Sequence, residues 1–212
     1  SAPNSVTLAL TDHMGTAGAE GDWEMIDAVS PVMTEGARRW IRDLAGQFQA
    51  AGIRASFAFS MECYRPPAEM AACYWDGAPV DLPVPSTQMH FGARVRAYLR
   101  QMYKECADEI AAAGLPVILQ FGETQWWYFP NDSGMPYYDA ETKADFEAAH
   151  LRAMHRFPAN TDDPTDDIET ADFLRDRIWA YCQDVISYVR QYHPAAVFEC
   201  LWPLDANQGK PK

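Results

Sequence analysis

No stretch of the 212-residue chain approaches the roughly 18 consecutive apolar residues of a membrane-spanning helix. No basic segment followed by an apolar run opens it, so no signal peptide is read and the compartment stays unassigned. Positive charge is scarce: 17 Lys and Arg stand against 30 Asp and Glu, a formal net charge of −13. Nucleic acid and anionic membrane surfaces would be repelled and are not expected as partners. Cysteine is sparse and odd in number, five residues without a CxxC pair, so zinc and thioredoxin-like sites lack their signature. Cys106 and Cys182 fall in helical patterns and Cys200 in a strand-like run, as small core residues do; Cys63 and Cys73 flank one loop, and whether they pair stays open. No GxGxxG or GxxxxGK[ST] follows a strand-like run, which removes the usual nucleotide-binding fingerprint. His150 and His155 are five apart and miss the i, i+4 spacing of a helical zinc pair. The acidic stretch from Asn160 to Glu169 lacks EF-hand order and reads as a solvated loop and helix cap. No metal or cofactor is expected.

What is present describes one folded domain over residues 1–212. Hydrophobic residues make up 48% and charged residues 22%, ordinary for a packed core, while aromatics reach 13% and many sit in loops. Four short apolar runs read as strands: Val6–Thr11, Ala55–Met61, Val117–Phe121 and Ala196–Trp202. Helical patterns separate them. The first starts at Ser30-Pro31 and buries Ala37, Trp40, Ile41, Leu44, Phe48 and Ala51 before Gly52. The second starts near Ser86, with Phe91, Val95, Leu99, Met102, Cys106, Ile110 and Ala113 as its stripe. A third spans Asp139 to about His155. A fourth runs from about Thr170 to Tyr192, with Leu174, Ile178, Tyr181, Val185 and Val189 inward.

This alternation predicts an α/β fold with a parallel sheet. Long loops after the strands and short turns back into them suit a (β/α) TIM-like barrel, whose functional loops gather at the C-terminal face. A full eight-stranded barrel takes about 250 residues, so four strands are expected to be either a barrel with further strands that the pattern does not reveal or a part of one, excised from a longer chain. The abrupt start and polar end carry the same expectation. The loop from Tyr64 to Pro85, rich in proline and aromatics, is long enough to be functional or interface-forming.

Strand alternation assigns directions. Phe57, Phe59 and Met61 form a bulky set that should meet the helices, leaving Ser56, Ala58, Ser60 and Glu62 for the interior. His13 shares that direction, Glu123 requires a bulge at Gly122, and either Glu199 or Trp202 faces inward. A carboxylate pair at neighbouring strand ends can perform glycoside chemistry, one acid protonating the leaving oxygen and the other attacking or activating water. Glu62 and Glu123, with Glu199 as substitute partner, are the candidate catalytic residues. Trp126, Trp127 and Tyr128 would stack on sugar rings, with His13, Tyr64, Gln125 and Trp202 completing a carbohydrate-binding surface.

Ser60-Met61-Glu62-Cys63-Tyr64 and Gly122-Glu123-Thr124-Gln125-Trp126-Trp127 resemble strand ends of glycoside-hydrolase-like TIM barrels, although neither acid follows the asparagine that often precedes the acid/base there. The segment from Gln120 to Tyr138 also resembles TIM-barrel domains embedded in bacteriophage tail proteins, including non-contractile tail sheath proteins. The first resemblance implies a domain that binds and hydrolyses a polysaccharide. The second implies a virion-associated structural or glycan-binding domain whose partners are other domains or subunits of an assembly.

Overall fold

In the computed structural model, residues 5–9, 32–63, 66–81, 86–122, 134–159 and 162–201 are described. Four strands, β1 (Ser5–Ala9), β2 (Arg54–Phe59), β5 (Ile118–Phe121) and β6 (Val197–Cys200), form a parallel sheet in the order β1-β2-β5-β6. Between β2 and β5 lie two short antiparallel strands, β3 (Glu62–Cys63) and β4 (Thr87–Gln88). The helices are α1 (Glu35–Ala51), α2 (Ala93–Ala112), α3 (Ala140–His150) and α4 (Ile168–Tyr192). Parallel neighbours follow chain order and are linked through helices, as in consecutive units of a barrel; the described residues hold an open four-stranded sheet.

The first helix begins later than Ser30-Pro31, a pair outside the described residues. Thr34 caps it, its side chain accepting from the Ala37 N–H at 3.2 Å. Val32 and Met33 precede the cap because their amides are taken elsewhere: both donate to the Glu105 carboxylate of α2, each at 2.9 Å. Trp40, expected in the core, is 43% exposed. Gly52 ends the helix with φ 67°, a left-handed conformation that glycine adopts cheaply. The start near Ser86 is likewise corrected to Ala93, since residues 87–89 pair with chain from the preceding loop. The third helix ends at His150 rather than His155, closed by Leu151 at φ 54°.

The bulky strand residues pack under the helices. The Tyr103 ring of α2 lies 4.3 Å from Phe59 and 5.3 Å from Phe121, centroid to centroid, and Phe121 stacks on Phe198 at 5.6 Å. Tyr181 of α4 meets Phe121 edge-on at 5.7 Å. Each fully buried aromatic contributes about 1.5–3 kcal/mol of transfer free energy, so this layer is the main glue between sheet and helices. The contact between the start of α1 and the end of α2 includes a buried ion cluster. Glu109, 2% exposed, pairs with Arg38 at 2.9 Å and with Arg42, so its buried charge is compensated.

The long loop after β2 is a small ribbon rather than irregular chain. Ala72, Val80 and Gln88 are cross-linked by backbone bonds: Ala72 N–H to Gln88 O at 2.7 Å, Val80 N–H to Ala72 O at 3.0 Å, and Gln88 N–H to Val80 O at 2.9 Å. Ala72, Tyr74 and Val80 form a satellite core under it.

Candidate functional site

The strands place only part of the sequence-derived constellation. His13, Tyr64, Glu123, Gln125, Trp126, Trp127, Tyr128 and Trp202 lie outside the described residues. Glu62 and Glu199 lie within them, in two different sheets.

Glu62 does not end a barrel strand. β2 stops at Phe59, whose carbonyl accepts the Gly122 N–H at 2.8 Å, and the chain then turns through Ser60 and Met61. Met61 O takes the Met89 N–H at 2.7 Å, and Glu62 pairs with Gln88 across the ribbon. The expected run to Met61 fails because a partner 28 residues downstream captures the backbone before a seventh strand residue can form. Glu62 borders a crevice shared with Phe59, Ser60, Cys63, Met89, Leu99 and Met102, with room for about one water molecule. A sugar ring would need it to open.

Glu199 resolves the ambiguity of the last strand. It faces the side of the sheet away from the aromatic layer, level with Gln120 of β5 and Ala58 of β2. Its Oε2 accepts from the Ser56 hydroxyl at 3.0 Å and from Gln120 Nε2 at 3.3 Å, and Arg54 lies 3.7 Å from Oε1. Ser56 and Arg54 precede Ala58, so the carboxylate leans toward the strands' N-terminal ends, away from the face where barrel enzymes hold substrates. Its side chain is 38% exposed. Exchange of Glu199 for glutamine is therefore expected to change stability by less than about 1 kcal/mol, as urea denaturation would measure.

Sequence periodicity missed a polar joint at the opposite end. The short turns from α1 to β2, α2 to β5 and α4 to β6 put helix C-termini beside strand starts, so α2 begins at the C-terminal face. There α2 has no side-chain cap of its own. The Gly92 N–H donates to His90 Nδ1 at 2.8 Å, and the Ala93 N–H donates to Glu141 of α3 at 2.8 Å. Asp139 caps α3 through the Thr142 N–H at 2.8 Å and stands 3.8 Å from His90 Nδ1. The cap signal of Asp139 is legible in the sequence; its neighbour His90, 49 positions earlier, is not.

The remaining candidate chemistries find ordinary roles. No disulfide joins Cys63 and Cys73. Burial pushes the Cys182 thiol up to about 12 and raises those of Cys106 and Cys73, so none of these three is poised as a nucleophile. In the acidic stretch, Asp163 caps the 3-10 turn Pro164–Asp167, Asp167 caps α4, and Arg152 bridges Asp167 at 2.7 Å and Glu169 at 2.8 Å. Among the described residues no group of three His, Cys, Asp or Glu side chains could hold a metal ion, and no helix is long and apolar enough to cross a membrane.

A family model described as the TIM barrel of a non-contractile tail sheath protein matches residues 10–201. No curated protein matches the chain. The match spans all four helices and three of the four sheet strands. The parallel order of those strands and the helices between them are what such a barrel requires. The chain belongs to the family of non-contractile tail sheath protein TIM barrels.

Proposed function

We propose that this domain is a structural module of a phage tail, working through contacts with neighbouring subunits or domains rather than by cleaving a polymer. Family membership carries the reading. The two described acids favour it too: Glu199 is committed to Ser56, Gln120 and Arg54, and Glu62 sits in a ribbon over a crevice of water size. Exposed aromatics offer contact area. Trp75, at the ribbon tip, is 48% exposed and carries the Arg156 guanidinium 3.2 Å from its ring centroid, which holds it rigid. Trp179 on α4 is 65% exposed. Tryptophan and arginine are the side chains most often found at interface hot spots.

The test is association of the full-length parent protein, followed by sedimentation over a wide concentration range. Assembly that weakens at least tenfold on Trp75→Ala or Trp179→Ala is expected. A parent that stays monomeric at every concentration would remove the proposal. Glycan contact through Trp126, Trp127 and Tyr128 rests on the sequence alone and is separable. Titration with an oligosaccharide panel should yield binding without turnover if it holds. Turnover that disappears in Glu62→Gln would instead restore the hydrolase reading.

A further inference from the structure

We propose that Leu151 is the anchor of a subunit contact, held out in solvent at the end of α3 to enter an apolar pocket with a lysine or arginine rim on a neighbouring copy of the parent protein; this rests on the reading of the domain as an assembling tail module. Two local rules are broken at Leu151 at once. Its φ is 54°, and no other non-glycine residue among the described residues has a positive φ. The position closes α3, the Leu151 N–H donating to the Glu147 carbonyl at 2.8 Å. Glycine or asparagine is favoured there, because a larger side chain crowds the left-handed backbone. The Leu151 side chain is also 90% exposed, more than any other large hydrophobic among the described residues. Packing inside the domain therefore does not offset the strain. An outlier that the fold does not use points to a residue kept for binding.

Leu151 has an aliphatic companion. Arg152 reaches across to α4 and bonds Asp167 at 2.7 Å and Glu169 at 2.8 Å, the residues on either side of Ile168. The His155 N–H donates to Thr170 Oγ1 at 3.1 Å, which fixes the same alignment. Ile168 is 60% exposed, so the two segments bring two solvent-facing aliphatic side chains to one part of the surface. Their base is rigid: Phe146 of α3 meets Phe173 of α4 edge-on at 5.2 Å, and the Arg152 guanidinium lies 5.0 Å from the Phe146 ring centroid. The rim is acidic. Glu147 lies one turn before Leu151, and Asp166, Asp167 and Glu169 flank Ile168; the base among them, Arg152, is already engaged by Asp167 and Glu169. An apolar pair in a negative rim is complementary to an apolar pocket in a positive one, and like charge would repel other surfaces.

Sedimentation of the full-length parent, with thermal unfolding of the 212-residue chain, tests this. Leu151→Gly removes the strain and the anchor together, so the two readouts should move in opposite senses. Tm of the chain should rise by about 2–4 °C, while association of the parent weakens at least about tenfold. Leu151→Asn accepts the same backbone but is polar, and should weaken association as much. Leu151→Met keeps an apolar side chain and should associate like the unmodified protein. Salt raised from about 0.05 M to about 0.5 M should weaken association of the unmodified parent, as an acidic rim against a basic one requires. Unchanged association of Leu151→Gly and Leu151→Asn in a parent that still assembles would overturn the anchor and leave the structural-module reading standing. A parent monomeric at every concentration would remove both. A fall in Tm for Leu151→Gly would show that the side chain serves the domain's own fold and would also overturn the anchor; association that strengthens with salt would overturn the basic pocket.

Discussion

Replacement of Glu105 by alanine is expected to destabilise the domain by about 3–5 kcal/mol, a large share of the 5–15 kcal/mol that holds a typical domain folded. Glu105 is 3% exposed and its carboxylate satisfies three donors: the Val32 N–H and Gln101 Nε2 on one oxygen, the Met33 N–H on the other. Gln101 is fixed in turn by the Tyr188 hydroxyl of α4, at 2.7 Å. The acid therefore joins α2 to the chain entering α1 and, through Gln101, to α4. Alanine leaves three donors buried without acceptors and opens a cavity. Glutamine keeps the volume but turns one oxygen into an N–H₂ facing an amide donor, so about half the loss is expected. Urea unfolding followed by circular dichroism measures both. A loss under about 1 kcal/mol for the alanine variant would show that the carboxylate is dispensable.

A comparable effect is expected at Gly134. Its φ is +81°, and a Cβ there would lie 2.7 Å from the Phe157 carbonyl oxygen and 2.8 Å from that of Pro158. Both are backbone atoms, so relief requires movement of chain rather than rotation of a side chain. The neighbours oppose that movement: Met135, Tyr137 and Tyr138 are each under 5% exposed, and the Phe157 N–H donates to the Tyr138 hydroxyl at 2.6 Å. Gly134→Ala should cost about 2–4 kcal/mol, or a fall in Tm of about 5–15 °C. Gly52→Ala separates the two contributions. Gly52 also has a positive φ, +67°, but nothing lies within 4 Å of its Cβ position, so only the backbone term of about 1 kcal/mol remains. Equal shifts in the two variants would mean that the clash is absorbed.

The parallel sheet, the order of its helices and the buried stripes of α2 and most of α4 were legible in the sequence, because each follows from a short period; the stripe expected of α1 was not, since of its six residues only Ile41 is buried. Leu174, Tyr181, Val185 and Val189 recur at helical spacing and are buried; Phe57 and Phe59 alternate with Ser56 and Ala58 and meet the helices. Element starts were legible only where the cap is local, as at Asp139. They were misplaced where a distant group competes for the backbone, as Glu105 does for Val32 and Met33.

The resemblance to tail proteins, carried by the stretch from Gln120 to Tyr138, pointed to the family that the chain belongs to. The glycoside-hydrolase resemblance rested on acids near strand ends, and residue type with strand parity cannot fix a carboxylate's partners. Alternation aimed Glu62 at a barrel interior, but parity holds only while the strand lasts, and β2 ends when Met61 is captured by Met89. It left Glu199 undecided, and the bonds to Ser56 and Gln120 from neighbouring strands decided it.

The amino-acid sequence by itself determined the α/β alternation and which residues form the helix-facing layer, since those properties depend on neighbours a few positions away. The tertiary structure alone decided which polar groups are paired: Glu105 with amides more than 70 positions earlier, Glu199 with a serine 143 positions earlier, His90 with the Glu69 carbonyl. A buried polar group needs a partner of the right kind, not a partner at a fixed spacing, and only the folded chain brings such partners together.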